Sequence, residues 1–463
     1  MYTENTYKID EEAIKKSFAF TETKLTHKQD GRFKLLPFVA NDKKLVNEFS
    51  GVVGAFSRAI CGKKLNTDFN AESFLEEVAD TIGDYGDDTN NRENFKDLVR
   101  TMFLEGNKLI DFDIKTINYI PSTSAEDKIA SFITSVLLDK ESVKNIEDNY
   151  NKEVENILYR LVLKSLPELK EKNISLGEYY CYIPFIKELF IEDFKFIISN
   201  EELYKNNLKR LLEYYYMFYI SQLSMKLNKF ENVDLDKPEI LYYTLDWEKT
   251  SKARTAYRLG LNNIKNNIDN LFSHAIVLEL LNHSNLEGQH SYVDLAKVFD
   301  NMDEQIIDNE IENLINLYTN QINDVSWSDF KYKNKEDRIN GFNGVNKLFN
   351  SVVYQFGGSS TRLGANKKYS KWYTEFYQKN FGKRRGSLGY NLNITEDDII
   401  LMTKICIKYE DKLKLNILFE EFEKRGLLFD TDSKRNIIQL FEKLNILEKK
   451  SDSGDAQYVK SIL

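Results

Sequence analysis

The segment Arg210–Leu227, RLLEYYYMFYISQLSMKL, constrains this chain more than any other stretch. Apolar and aromatic side chains almost surround it at helical spacing, so as a helix it has no wide face to give to water. It belongs inside a core or a subunit interface. Its longest apolar run, Tyr214–Ile220, falls far short of the ~18 residues that a membrane span needs. The preceding EYYCYIPFIKELFIEDFKFI reads as a second buried helix with Pro184 near its start. Only five prolines interrupt 463 residues, and apolar residues recur at helical period through most of them. The expected fold class is mainly α.

Four segments follow from composition. Residues 1–120 read as an N-terminal helical region, with helices at Glu11–Phe20 and Lys44–Ile60 and an exposed loop at Asp84–Asn91. Asp84, Asp87 and Asp88 in that loop lack the spacing of a calcium loop and read as a solvated turn. Residues 125–330 form a central aromatic-rich helical region, 331–390 a basic segment, and 391–463 a C-terminal domain. Three cysteines, Cys61, Cys181 and Cys406, lie far apart and give no disulfide framework. The N-terminus has no apolar run after a basic start, so a cytoplasmic protein without a membrane segment is expected.

The net charge of −9 conceals a strong asymmetry. Between Lys331 and Gly386 thirteen basic residues face only Glu336, Asp337 and Glu375, which makes this window +10 and the remainder −19. Eight of the twenty glycines fall in or just beyond it. Phe342, Phe349, Tyr354, Phe356, Tyr369, Trp372, Tyr373, Phe376 and Tyr377 are interleaved with the cations. Such a block suits phosphate backbones and stacked bases, and Arg362, Lys367, Lys368, Lys371, Lys383, Arg384 and Arg385 are its candidate DNA contacts. An acidic protein surface or plain solvated charge are the other readings.

Catalytic patterns are sparse. FGGSSTRLGANKK has the wrong glycine spacing for a phosphate loop, and no Lys-Ser/Thr follows Gly364. His274, His283 and His290 do not share one helix face, and the only other histidine is His27. Glu448-Lys449-Lys450 matches the short half of a nuclease pattern, but no apolar strand ends in a suitable Asp before it. No catalytic residue, metal, cofactor or small-molecule substrate is expected.

The C-terminal domain carries the sharpest signal. Thr395 with Glu396, Asp397 and Asp398 is an N-cap followed by an acidic first turn. A second helix spans Leu413–Arg425 with Gly426 as its stop, and a third runs from Thr431–Ser433 to Leu444. LEKK and AQYVK then flank SDSGD as a hairpin. Three helices followed by a β-hairpin wing is the order of a winged-helix domain. On the third helix Arg435, Gln439 and Lys443 recur at i, i+4, i+8, opposite Ile437, Leu440 and Phe441. Glu442 sits beside that polar face. Asp452 and Asp455 at the hairpin tip suit a basic protein partner better than a phosphate chain.

The block KRRGSLGYNLNIT and the stretch from Leu418 to the C-terminus resemble the C-terminal part of the DptG family, also called DndG. The most specific elements are Arg384-Arg385-Gly386, Lys424-Arg425-Gly426 with Phe429-Asp430, and Ser451–Ala456 followed by Tyr458-Val459. The resemblance implies a cytosolic bacterial subunit of the phosphorothioation-dependent restriction system, an antiviral defence. It implies work beside DptF-like and DptH-like partners that carry the ATP-binding and DNA-processing chemistry on double-stranded DNA. The function expected is a non-catalytic bridging subunit that touches DNA. The alternatives are a winged-helix transcriptional regulator and a divergent nuclease.

Overall fold

The computed structural model describes residues 6–29, 31–37, 48–67, 69–86, 90–172, 176–334, 339–449 and 457–462. It is mainly helical, with nineteen α-helices and four small sheets among the described residues. In chain order the helices before the long central one are α1 (Glu11–Ser17), α2 (Ser50–Ile60), α3 (Ala71–Ile82), α4 (Asn91–Phe103), α5 (Ser124–Leu137), α6 (Lys140–Tyr150), α7 (Ile157–Lys164) and α8 (Pro184–Ile198). Then come α9 (Glu201–Leu227), α10 (Thr255–Arg258), α11 (Leu261–Ile268), α12 (Leu271–Asn282), α13 (Tyr292–Phe299) and α14 (Glu304–Asn320). Helices α15 (Phe342–Gly357), α16 (Ser360–Asn380), α17 (Glu396–Ile407), α18 (Leu415–Lys424) and α19 (Thr431–Lys443) complete the set.

Helix α9 is the axis of the fold. Asn200 caps it by accepting from the Leu203 N–H at 2.9 Å, and Glu201 and Glu202 occupy its first turn, where the helix dipole favours acids. From Leu211 to Leu227 every residue is buried. The helix therefore lies in this chain's own core. Pro184 starts α8, as its fixed φ and missing N–H favour. Tyr216 on α9 meets Trp372, Tyr373 and Phe376 of α16 edge-on, with ring centroids 5.2–6.1 Å apart.

One continuous core runs from Tyr7 to Val459 and draws on each of the four sequence segments. A second, smaller core gathers Phe74, Leu75, Val78, Val99, Phe103, Phe112 and Val162 from α3, α4, the link after α4, and α7. The Lys44–Ile60 helix is present as Ser50–Ile60, its first part lying outside the described residues, as do Asp87 and Asp88 of the acidic loop.

Strands are short and serve as ties. β1 (Lys63–Lys64) pairs antiparallel with β4 (Lys170–Glu171), and β2 (Leu104–Glu105) pairs with β3 (Lys108–Leu109). β5 (Thr244–Leu245) runs parallel to β7 (Tyr390–Ile394), which pairs on its other side with β6 (Gly382–Arg384). At the C-terminus β8 (Lys412–Lys414), β9 (Leu447–Lys449) and β10 (Gln457–Lys460) form an antiparallel sheet ordered β8-β10-β9. α17, α19 and the hairpin strands lie where caps and periodicity put them, but the second helix, expected from Leu413, begins at Leu415 because Leu413 belongs to β8. β8, three residues between two helices, was invisible to periodicity.

Candidate nucleic-acid and partner interface

The basic segment divides by helical geometry. On α16, Tyr369, Trp372, Tyr373, Phe376 and Tyr377 face inward and are buried, whereas Lys367, Lys368, Lys371, Glu375 and Lys379 face solvent. At ~100° per residue the two sets alternate in sequence but occupy opposite sides. The interleaved aromatics are thus core residues, not a stacking platform for bases. Phe342, Phe349 and Phe356 are buried as well, and half-buried Tyr354 packs on Trp327 and Phe330. Burying one such Phe contributes about 1.5–3 kcal/mol to folding.

The basic candidates separate in the same way. Arg362 forms a two-pronged bond to Asp324 at 2.8 and 2.9 Å, and its Nε donates to the Gln355 carbonyl. Lys383 donates to the Asp246 carbonyl. Arg385 donates to the carbonyls of Glu248 and Leu245 and is half-buried, and burial lowers its pKa. These three cations hold the β5–β7–β6 sheet and neighbouring helices together. Lys367, Lys368, Lys371 and Arg384 remain exposed.

Helix α19 presents the other candidate face. Its N-cap Asp430 accepts from the Ser433 N–H at 3.1 Å. Ser433, Ile437, Leu440 and Phe441 are buried, and Arg435, Gln439 and Lys443 project together into solvent. Arg435 reaches Asp432 at 3.3 Å, while Glu442 is paired by Lys449 of β9 at 2.7 Å. The acid beside the polar face is therefore neutralised by the strand next to it. Asp452 and Asp455 lie outside the described residues.

Sequence reasoning missed what positions α19. Glu248 accepts from Ser433 Oγ at 2.9 Å and from Asn436 at 3.3 Å. Arg254 donates from Nε to Asp430 at 3.0 Å and from Nη2 to Ser433 Oγ at 2.8 Å. Burial alone would raise the Asp430 pKa, but the Arg254 bond and backbone N–H donors hold it below the usual carboxylate range. Partners more than 170 residues apart leave no local signal in the sequence.

The Lys424-Arg425-Gly426 motif is structural. Arg425 is fully buried and bonds Asp193 of α8 from Nε and Nη2 at 2.8 and 2.7 Å. Asp193 also accepts from Tyr215 at 2.5 Å. Gly426 has φ +78°, and a Cβ there would lie 2.2 Å from the Phe218 ring, so only glycine fits.

His27 and His274 pack against the core. Burial pushes the His27 and His274 pKa values down to about 3, and His274 is bonded to Tyr292 at 3.0 Å. Burial pushes the Cys406 thiol up to about 12. Among the described residues no three His, Cys, Asp or Glu side chains are placed to hold a metal ion, and no helix is long and apolar enough to cross a membrane. No protein-family model matches the chain, and no curated protein matches it.

Proposed function

We propose that this protein is a non-catalytic subunit of a bacterial DNA-restriction complex of the phosphorothioation-dependent kind, a DptG-like protein that contacts double-stranded DNA and bridges ATPase and DNA-processing partners. The observation that carries the reading is the C-terminal order helix, strand, helix, helix, strand, strand between Glu396 and Lys460, which is that of a winged helix. Arg435, Gln439 and Lys443 stand on the solvent side of its third helix. Arg and Gln can read base edges, and Lys can neutralise phosphate. The lysine face of α16 supplies a second, sequence-blind contact.

The test is duplex binding as a function of salt with the intact chain. Each neutralised phosphate adds about −0.9 to the log–log slope. Changing Lys367, Lys368 and Lys371 together to Gln flattens that slope. Lys383 and Arg385 are left alone because their bonds hold the fold. Changing Arg435, Gln439 and Lys443 to Ala alters sequence preference without changing the thermal midpoint. If neither variant changes DNA binding while the α19 variant loses its co-purifying subunits, the face belongs to a protein partner and the DNA contact is refuted.

A further inference from the structure

A cleft of about 270 Å³ opens on the opposite kind of feature, a buried cation. It lies between the C-terminal end of α2, the β1–β4 ribbon and α5, and Arg58, Lys63, Lys64, Lys172, Ser122 and Asp127 line it. Arg58 is only 6 % exposed. Its Nη1 donates to the carbonyls of Asn118 and Ile120 at 2.9 and 2.6 Å, and its Nη2 to Ser122 Oγ at 2.6 Å. A guanidinium has five N–H donors, so two of them, including that on Nε, find no acceptor among the described residues.

The neighbouring acids are engaged elsewhere. Asp127 accepts from Ser122 Oγ at 2.6 Å, and Glu126 accepts from the Thr123 N–H at 2.6 Å in the capping box of α5. Both act on Arg58 only through space, and burial outweighs them, so its pKa is lowered. A buried cation without a direct carboxylate partner is costly unless an anion completes it. The ribbon adds more positive charge. Its register sets Lys63 opposite Glu171, with which it forms an ion pair, and Lys64 opposite Lys170. Alternation then puts Lys64 and Lys172 on the same face, and the Lys172 N–H donates to the Gly62 carbonyl at 2.8 Å.

We propose that this cleft binds a phosphate monoester, with Arg58 at its floor and Lys64 and Lys172 at its rim. A dianion matches one guanidinium edge and two ammonium groups. The volume exceeds that of one phosphate group and suits a nucleotide-sized body. The site lies on helices and strands remote in sequence from the C-terminal unit and does not depend on the function proposed above.

Titration calorimetry of the full chain at low, fixed salt tests it with inorganic phosphate, AMP, and a short duplex bearing either a 5′-phosphate or a 5′-hydroxyl. Binding of AMP without preference between duplex ends assigns the ester to a free nucleotide. Preference for the 5′-phosphate duplex without AMP binding assigns it to a DNA terminus. Lys64→Gln with Lys172→Gln weakens the bound probe by about tenfold or more at an unchanged thermal midpoint, since both side chains are exposed. Arg58→Lys, which keeps the charge but loses the fork, weakens it as well. Absence of binding by every phosphate probe, or affinity unchanged in the lysine double variant, overturns the proposal.

Discussion

Two outlying units of this molecule are held by different forces. The C-terminal unit, α17 to β10, is joined to the body by one fully buried ion pair, Arg425 with Asp193, and two part-buried ones, Arg210 with Asp398 at 2.5 Å and Arg254 with Asp430. The unit of α3, α4 and α7 has a small apolar core of its own. Its ion pairs, such as Arg100 with Glu72 and Arg92 with Asp80, are mostly surface pairs. Burial makes loss of one partner in the first set severe, because the other charge is left without water or a counter-ion, while water screens the second. The expectation is that α19 unfolds together with the body, whereas the α3–α4–α7 unit opens at lower cost through its own small core.

The largest expected effect comes from unpairing a buried charge. Asp193→Ala leaves Arg425 with Glu421, at 2.7 Å, as its one direct carboxylate partner among the described residues and costs about 3 kcal/mol, read as a fall in the urea midpoint of the single main transition. A loss near zero would break the comparison, because the C-terminal unit would then be held by something else. Next is Phe103→Ala, which opens a cavity beside Phe112 and Tyr159 and costs about 3 kcal/mol. Its signature is local. Hydrogen exchange should speed up in α3 and α4 while α9 amides keep their protection.

A drop in pH separates the units less sharply. Burial works against the charged forms of Asp398 and Asp430, yet bonds from Arg210 and Arg254 hold both pKa values below the usual aspartate range. A depressed folded pKa means that the stabilisation is fully present above the unfolded value of about 4 and is lost as pH falls through the lower folded values. Urea midpoints should therefore drop between pH 5 and pH 3, and Asp398→Asn should reduce that pH dependence. The smallest effect is Glu72→Gln, which removes an exposed partner of Arg100 and should leave the thermal midpoint unresolved from that of the parent. A clear shift there would show that surface charge, not the small core, holds the α3–α4–α7 unit.

Much of the helical layout was legible. The capping box at Thr395, the i, i+3, i+4, i+7 pattern of Leu415, Leu418, Phe419 and Phe422, and the φ +78° at Gly426 are local events, set by residues a few positions apart. The burial of α9 was equally plain, because a helix without a polar face must be covered, but only the tertiary structure decided that this chain's own core covers it. The candidate site was legible only by half. The outward direction of Arg435, Gln439 and Lys443 follows from their spacing around buried neighbours on the same helix. The fate of the other cations does not.

Sequence by itself determined that this chain is mainly helical, that α9 is buried, and where α17 and α19 lie. Tertiary structure alone decided which charges are available. Lys367 and Arg362 stand five residues apart, yet one faces solvent and the other clasps Asp324. Arg425 reads as one more basic residue until Asp193, 232 positions away, closes on it. A helix cap or an apolar stripe is written in neighbouring residues, whereas the charge that a cation shows to a partner depends on burial and on acids brought near by folding.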